Sequence, residues 1–179
     1  NILVTAEAGK ETVKLADFGL ARTYQASQLS GLTMTGTAGG TPQYMPPEQV
    51  RGDVSLDHRV DIWAIGVTLY VALTGVQPFA AADAVSTMRN VIDREVRPPS
   101  TVGLRPSPVF DSLILKALER DPDRRYASAQ EFGDALREVA LAERVLAPPS
   151  DVAKWVSSTF GEKLAERRRL VRGNRKIRK

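Results

Sequence analysis

The sequence predicts an α+β fold in which one short β-hairpin precedes a bundle of helices. Two β-prone stretches, residues 2–5 and 12–16, flank a polar segment that contains Gly9, which is the pattern of a hairpin. From residue 57 onwards, apolar residues recur mainly at helical spacing. With 179 residues, the chain is long enough for one domain with a hydrophobic core.

The composition excludes several kinds of functional site. The chain has no cysteine, which rules out disulfides and thiolate metal sites and makes a reducing cytoplasm the simplest compartment. It has one histidine, His58, which rules out histidine-based triads and zinc sites with several histidines. Any chemistry must therefore use carboxylates, amides, hydroxyls, lysine or arginine.

The net charge of +4 comes from the end of the chain. Residues 167–179 contain eight Lys or Arg and no acid, whereas the remainder is slightly acidic. We predict a basic tail that acts as a solvated linker. Binding of acidic lipid or of nucleic acid remains an alternative, although the tail lacks interleaved aromatic residues. We expect no specific nucleic-acid partner.

Residues 62–82 carry no charge and are numerous enough to suggest a membrane span. Gly75 and Pro78 interrupt the run, so the sequence instead favours a buried helix over residues 57–74. This helix is apolar on most sides, including Ile65, which predicts a place at the centre of the domain.

Weaker patterns predict the remaining elements. A long Thr/Ser/Gly-rich loop covers residues 22–40, and a proline-rich loop covers residues 97–108. Helices are predicted at residues 46–51, 81–94 and 109–120, and a turn at 121–123. Ser128 and Glu131 predict a capping box at the start of another helix. The predicted organisation is a body at 1–146, an appended helix at 147–166 and the basic tail at 167–179.

Four motifs follow one another in order: Asp17-Phe18-Gly19, Gly40-Thr41-Pro42-Gln43-Tyr44-Met45-Pro46-Pro47-Glu48, Asp61-Ile62-Trp63-Ala64-Ile65-Gly66 and Asp121-Pro122-Asp123-Arg124-Arg125. Together they resemble the C-terminal lobe of eukaryotic-like protein kinases, most closely the bacterial serine/threonine type, from Asn1 to about Val139. The resemblance implies a protein-kinase-like fold of which only the mainly α-helical C-lobe is present. The hairpin would precede the activation segment.

The sequence departs from this family pattern in three ways. The hairpin between Thr5 and Val13 is slightly longer than in the family, which a loop tolerates. Pro46 stands where the family usually has alanine, which a helix entry tolerates. The glycine-rich loop, the strand lysine, its partner glutamate and the His-Arg-Asp segment with the catalytic base belong upstream of Asn1, and this sequence lacks them. We therefore expect a fragment of a longer kinase, inactive when isolated.

The resemblance implies that the full-length kinase uses ATP and Mg²⁺. Asp17 matches the metal-binding aspartate, and Asn1 matches the asparagine that holds the second metal ion. Carboxylate and amide oxygens are hard ligands of the kind that Mg²⁺ prefers. Each residue also has a simpler interpretation, since an aspartate often caps a turn and any chain can begin with asparagine.

The activation segment carries the predicted substrate and regulatory residues. By resemblance, the hydroxyl of Thr41 reaches the upstream catalytic aspartate in the substrate-docking loop. Tyrosine kinases have proline there, so Thr41 favours Ser/Thr substrates. Thr33, Thr35 and Thr37 are candidate phosphorylation sites, because a phosphate can order such a loop against arginines. The alternative is a flexible, soluble loop.

Three residues are predicted to support the site structurally. Glu48 and Arg125 match the family's buried ion pair between the activation segment and the lower lobe. Asp61 begins the central helix, where the helix dipole favours a carboxylate. By resemblance, it also accepts hydrogen bonds from the catalytic loop. The alternative for the ion pair is two independent surface charges.

The sequence therefore predicts part of a protein serine/threonine kinase of bacterial-type signalling. Its partners would be protein substrates, and a kinase dimer partner is compatible with the resemblance. The longer protein would be cytoplasmic or anchored to a membrane through a further C-terminal region. If the native chain begins at Asn1, the alternative is a pseudokinase-like module that binds proteins. A helical adaptor that binds nucleic acid through its tail is a third interpretation.

Overall fold

A computed structural model of the chain describes residues 2–7, 10–15 and 41–176. The chain divides into two compact units. One unit comprises Asn1–Gly19 together with Val145–Lys179, and the other is Leu20–Arg144. Each unit is described by itself below.

The first unit contains a two-stranded antiparallel sheet. Strand β1 is Ile2–Glu7 and strand β2 is Lys10–Leu15. Their register runs from Ile2 opposite Leu15 to Glu7 opposite Lys10. The strands reach further into the polar segment than the sequence predicted, because paired backbone groups can continue through polar residues whose side chains do not need burial.

The second unit is built around helix α2, Arg59–Thr74. Ile62, Trp63 and Val67 are fully buried in its hydrophobic core. Gly66 lets helix α4, Val109–Ala117, approach closely, since a Cβ atom at this glycine would lie 3.0 Å from the Cβ atom of Ala117. Helix α2 therefore lies at the centre of the second unit, as the sequence predicted.

Helix α2 differs from its prediction in two details. It begins at Arg59 rather than at residue 57, because the carboxylate of Asp57 accepts a hydrogen bond from the Arg59 amide at 2.8 Å and holds residues 57–59 in a turn before the helix. Ile65 is 40% exposed, so the helix has one large apolar side chain that is uncovered in this unit. The predicted end is correct, since Gly75 adopts the left-handed conformation after Thr74.

The neighbouring helices are shorter than predicted, and local hydrogen bonds explain why. Helix α3, Ala84–Asp93, begins three residues late because Asp83 caps it by accepting a 2.7 Å hydrogen bond from the Ser86 amide. Helix α4 ends at Ala117 rather than at residue 120 because the backbone leaves the helical conformation at Leu118, whose amide is shared between the carbonyls of Ile114 and Leu115. The proline-rich loop between them contains one 3₁₀ turn, Pro99–Thr101.

Helix α5, Ala129–Ala142, starts with a variant of the predicted capping box. The Ser128 hydroxyl accepts a hydrogen bond from the Glu131 amide at 3.1 Å. The Glu131 carboxylate reaches back one residue further than expected and accepts from the Ala127 amide at 2.8 Å. It also pairs with Lys116 at 3.0 Å. One side chain thus joins the start of α5 to α4.

Acid is expected to weaken this cap. The hydrogen bond from the Ala127 amide, and then that from Lys116, lower the pKa of Glu131 from its ordinary value of 4.5. A lowered folded-state pKa stabilises the fold above pH 4.5, and the contribution disappears as pH falls through the lowered value. The free energy of unfolding in urea is measured at pH 7 and at pH 3. Its decrease from pH 7 to pH 3 should be smaller for Glu131→Gln than for the native chain. Glu138→Gln on the same helix should behave like the native chain, and equal losses in all three would contradict the assignment.

Gly103 occupies a position that no other residue fits. Its φ is +52°, and a Cβ atom there would lie 1.9 Å from the Thr74 carbonyl oxygen. Gly103→Ala should therefore lower the free energy of unfolding by about 2–4 kcal/mol. Gly133→Ala is the control: its Cβ atom would meet nothing within 4 Å inside α5, so it should stabilise by about 0.5–1 kcal/mol. Urea denaturation measures both, and equal effects would contradict this interpretation.

Helix α6, Pro149–Lys176, belongs to the first unit and is longer than the predicted appended helix. It continues past residue 166 through most of the predicted basic tail. The reason is local, because residues 150–176 contain no proline and are rich in helix-forming arginine, lysine, alanine and leucine. Among the helices described, none is both long and apolar enough to cross a membrane.

Candidate functional site

The predicted substrate-docking segment is a compact turn followed by a short helix. Thr41 is exposed, and its carbonyl accepts a hydrogen bond from the Tyr44 amide at 3.0 Å. The 3₁₀ turn Pro42–Tyr44 follows, and helix α1, Pro47–Arg51, begins after it. Met45, Pro46 and Pro47 are buried. The segment therefore presents a threonine to solvent while its second half is anchored in the core.

Glu48 in the first turn of α1 forms a buried ion pair with Arg125. The two distances are 2.7 Å from Nη1 to Oε1 and 2.8 Å from Nη2 to Oε2, so the pair is bidentate. The side chain of Arg125 is 0% exposed and that of Glu48 is 9% exposed. These residues lie far apart in the sequence, and the structure brings them together at the base of the docking segment.

The remaining N–H groups of Arg125 donate to backbone carbonyls. Nε donates to Glu119 at 2.7 Å, Nη1 to Arg59 at 3.1 Å and Nη2 to Arg120 at 3.3 Å. With the two bonds to Glu48, every one of the five donors of the guanidinium has an acceptor. Arg125 thus fastens the docking segment to the start of α2 and to the residues that follow α4.

Aromatic residues cover the buried guanidinium. The carbon of the Arg125 guanidinium lies 5.1 Å from the centre of the Trp63 ring, which is cation–π geometry. Trp63 in turn stacks on Phe79 with ring centres 5.4 Å apart. Its indole Nε1 is buried without a partner among the described residues. Trp63 is therefore a core residue, and it excludes water from the ion pair.

A second ion cluster, which the sequence did not predict, is centred on Arg59. Its guanidinium bonds to Asp57 at 2.8 Å and to Asp123 at 2.7 Å. The hydrogen bond from Arg59 holds the pKa of Asp57 below its ordinary value, and the two carboxylates together raise the pKa of Arg59. Asp57 and Arg59 are two residues apart, and this spacing could have predicted their ion pair from the sequence. The contact with Asp123 depends on tertiary structure.

Asp61 lies in the first turn of α2, as predicted, and is exposed. Its backbone amide donates to the His58 carbonyl at 3.1 Å. Its carboxylate has no partner among the residues described. His58, the single histidine, contacts the Ala127 carbonyl at 2.8 Å through Nε2 at the rim of the unit.

A cleft of about 270 Å³ opens beside the docking segment. Its walls come from that segment and from the start of α3: Pro42, Gln43, Ala81, Ala82, Asp83, Ala84 and Thr87. Gln77 holds one wall by donating from Nε2 to the Gln43 Oε1 at 3.2 Å. Three of the lining residues are alanines, whose small side chains keep the cleft open.

Several predicted site residues lie outside the described part of the chain. These are the candidate metal ligands Asn1 and Asp17 and the candidate phosphorylation sites Thr33, Thr35 and Thr37. Within the described part, no group of three or more acidic or histidine side chains is arranged to hold a metal ion. The assignment of Mg²⁺ to Asn1 and Asp17 therefore stays a prediction.

Comparison with known proteins identifies close relatives in bacteria. The serine/threonine-protein kinase pkn3 of Myxococcus xanthus is 41% identical over 148 residues, covering 80% of this chain and 27% of the relative. The serine/threonine-protein kinase PknB of Mycobacterium tuberculosis is 38% identical over 148 residues, covering 83% and 23%. The tyrosine-protein kinase MasK of Myxococcus xanthus is 37% identical over 162 residues, covering 88% and 24%.

This chain thus spans 23 to 27% of the length of these three relatives. Residues 1–135 match the family described as the protein kinase domain. The match includes the docking segment, the central helix and the buried ion pair. The chain therefore belongs to the protein kinase domain family, as a C-lobe portion of the bacterial serine/threonine type.

Proposed function

We propose that this chain is the substrate-docking lobe of an ATP-dependent protein serine/threonine kinase that acts in bacterial signalling. In this role the segment from Gly40 to Glu48 receives the protein substrate. An aspartate upstream of Asn1 would accept the proton of the substrate hydroxyl. Protein kinases as a family use ATP and Mg²⁺, since metal ions neutralise the charge on the transferred phosphoryl group.

The buried pair of Glu48 and Arg125 is the observation that carries this proposal. A docking surface must keep one conformation while substrates come and go, because a small misplacement of the reacting groups slows transfer strongly. Five hydrogen bonds from one guanidinium fix the base of the segment. Thr41 at its other end stays exposed, which suits a residue that contacts substrate.

The proposal gives each further site residue a role. Asp17 and Asn1 would hold Mg²⁺ through carboxylate and amide oxygens. Phosphorylation of Thr33, Thr35 or Thr37 would order the activation segment. The exposed carboxylate of Asp61 has no partner in the described part of the chain, which leaves it free to accept hydrogen bonds from the catalytic loop of the longer protein.

The relatives differ in the substrate specificity that their names state, since one is named a tyrosine-protein kinase. Thr41 is the residue that favours serine and threonine substrates in this chain. The cleft beside Pro42 supports peptide binding next to it. The test must therefore offer serine, threonine and tyrosine acceptors side by side.

The experiment compares the chain alone with a longer protein that adds the coding sequence immediately upstream, in frame. Each is incubated with ATP, Mg²⁺ and peptides that carry serine, threonine or tyrosine, and phosphate transfer is measured. We expect transfer to serine and threonine by the longer protein and none by the chain alone. Mass spectrometry of the longer protein, with and without phosphatase, should find phosphate on at least one of Thr33, Thr35 and Thr37.

Three outcomes would count against the proposal. Transfer by the chain alone would show that no upstream base is needed. Transfer to tyrosine only would overturn the specificity assigned to Thr41. A stop codon directly upstream of Asn1 would favour the alternative of a protein-binding module without phosphotransfer.

A further inference from the structure

Helix α6 combines two features that kinase chemistry does not use. Its first half exposes aromatic side chains, with Trp155 58% and Phe160 40% exposed. The two rings pack edge to face with centres 5.6 Å apart. Val145 and Leu146, just before the helix, are 57% and 51% exposed. Water-soluble surfaces seldom leave so many large apolar groups uncovered within one short stretch.

The second half of α6 carries a concentrated positive charge. The helix extends to Lys176 and includes Arg167, Arg168, Arg169 and Arg172. No acidic residue follows Glu166 in the sequence. At 1.5 Å per residue the whole helix is about 42 Å long, and its basic part is about 15 Å long. Aromatic and basic residues therefore occur in the sequence of one helix.

We propose that α6 binds the surface of a membrane that contains anionic lipids. Trp and Phe side chains prefer the boundary between headgroups and acyl chains, where their rings leave water. The arginines complement the phosphates of acidic headgroups. Helices with aromatic groups and clustered basic residues lie along such interfaces without crossing them. This inference goes beyond the proposed function and does not depend on it.

Nucleic acid fits these observations less well than lipid. A nucleic-acid backbone would account for the arginines, but flat aromatic faces are needed to stack on bases. Trp155 and Phe160 instead pack at an interplanar angle of 85°, so that one ring edge meets the other ring. Exposed Val145 and Leu146 offer no stacking surface, whereas a lipid interface would bury them.

The experiment uses the whole chain and two kinds of vesicle, phosphatidylcholine alone and an equal mixture of phosphatidylcholine with phosphatidylglycerol. Binding is measured by co-sedimentation and by tryptophan emission. Trp63 is 0% exposed, so a blue shift on binding reports Trp155. We expect binding and a blue shift with the anionic vesicles only. Trp155→Phe should remove the shift while binding remains.

Matched variants distinguish binding through α6 from binding through the positive charge of the whole protein. The triple variant R167Q, R168Q and R169Q should weaken binding on the order of a hundredfold, since each basic side chain near an anionic surface strengthens it roughly fivefold. The control triple R89Q, R97Q and R137Q removes the same charge from exposed positions elsewhere and should change binding less than about twofold. Trp155→Ser with Phe160→Ser should weaken binding at least tenfold while keeping the basic residues.

Several results would overturn the proposal. One is absence of binding to anionic vesicles, and another is equal binding to both kinds of vesicle. A third is equal weakening by the two triple variants. Binding of random-sequence duplex DNA without binding of vesicles would assign the helix to nucleic acid instead. Circular dichroism and thermal melting verify that each variant folds, and the serine variants test the same idea without any change of charge.

Discussion

Arg125→Met should lower the free energy of unfolding by about 3–5 kcal/mol. The substitution removes a fully buried guanidinium and leaves the Glu48 carboxylate without its partner. It also removes the hydrogen bonds that Arg125 donates to the backbone carbonyls of residues 59, 119 and 120. Buried acceptors that lose their hydrogen bonds contribute further to the cost. Urea denaturation of the whole chain measures the change.

Arg124→Met is the matched control, because Arg124 is the adjacent residue of the same type. Its side chain is 69% exposed and its contact with Glu119 is 3.5 Å long. Exposed pairs of this kind contribute about 0–1 kcal/mol, so the control should remain close to the native chain. A loss below about 1 kcal/mol for Arg125→Met would show that the guanidinium does not hold the docking segment.

A double variant separates the ion pair from the backbone contacts. Glu48→Met combined with Arg125→Met leaves no stranded charge, so the combined loss should be smaller than the sum of the two single losses. It should still exceed zero, because the three carbonyls remain without donors. Strict additivity would mean that Glu48 and Arg125 contribute independently.

Asp17→Ala in the longer, active protein should reduce phosphate transfer by a factor on the order of 10³ or more. The expectation rests on the proposed role of this carboxylate in holding Mg²⁺, whose charge stabilisation contributes several kcal/mol to the transition state. Because the effect is on chemistry, thermal melting in the absence of nucleotide should hardly change. The measurements are initial rates of peptide phosphorylation and a melting curve.

Asp93→Ala is the control for charge, since Asp93 is an exposed carboxylate at the end of α3 with one long contact to Arg89 at 3.9 Å. Its rate should stay within about twofold of the native protein. Near-normal turnover after Asp17→Ala would remove the metal assignment, whatever the family resemblance. Loss of folding in that variant would instead give Asp17 a structural role.

Features that depend on neighbouring residues were predictable from the sequence. Gly75 ends the central helix because it accepts a left-handed conformation, and Ser128 starts α5 because its hydroxyl caps the Glu131 amide. Glu48 and Arg125 belong to two of the motifs that carry the family resemblance. Their predicted contact is present in the structure. Local chemistry and the ordered motifs thus predicted most of the helical unit.

Features that depend on the tertiary arrangement were not predictable. Two carbonyls that follow helix α4 accept hydrogen bonds from Arg125, which lies beyond the next turn, and no local pattern indicates this contact. The contact between Arg59 and Asp123 joins residues that share no local pattern. Ile65 was predicted as a core residue from apolar spacing, but spacing does not tell whether a neighbouring element covers it. Burial is decided by packing partners.

The acceptors around Arg125 have a consequence for how this lobe tolerates sequence drift. Three of its five bonds go to main-chain oxygens, which every amino acid supplies. Substitutions at positions 119 and 120 that keep the backbone path would leave those bonds in place. Evolutionary constraint should therefore fall on the two paired side chains, while the surrounding chain is free to diverge in chemistry without loosening the segment that we propose for substrate docking.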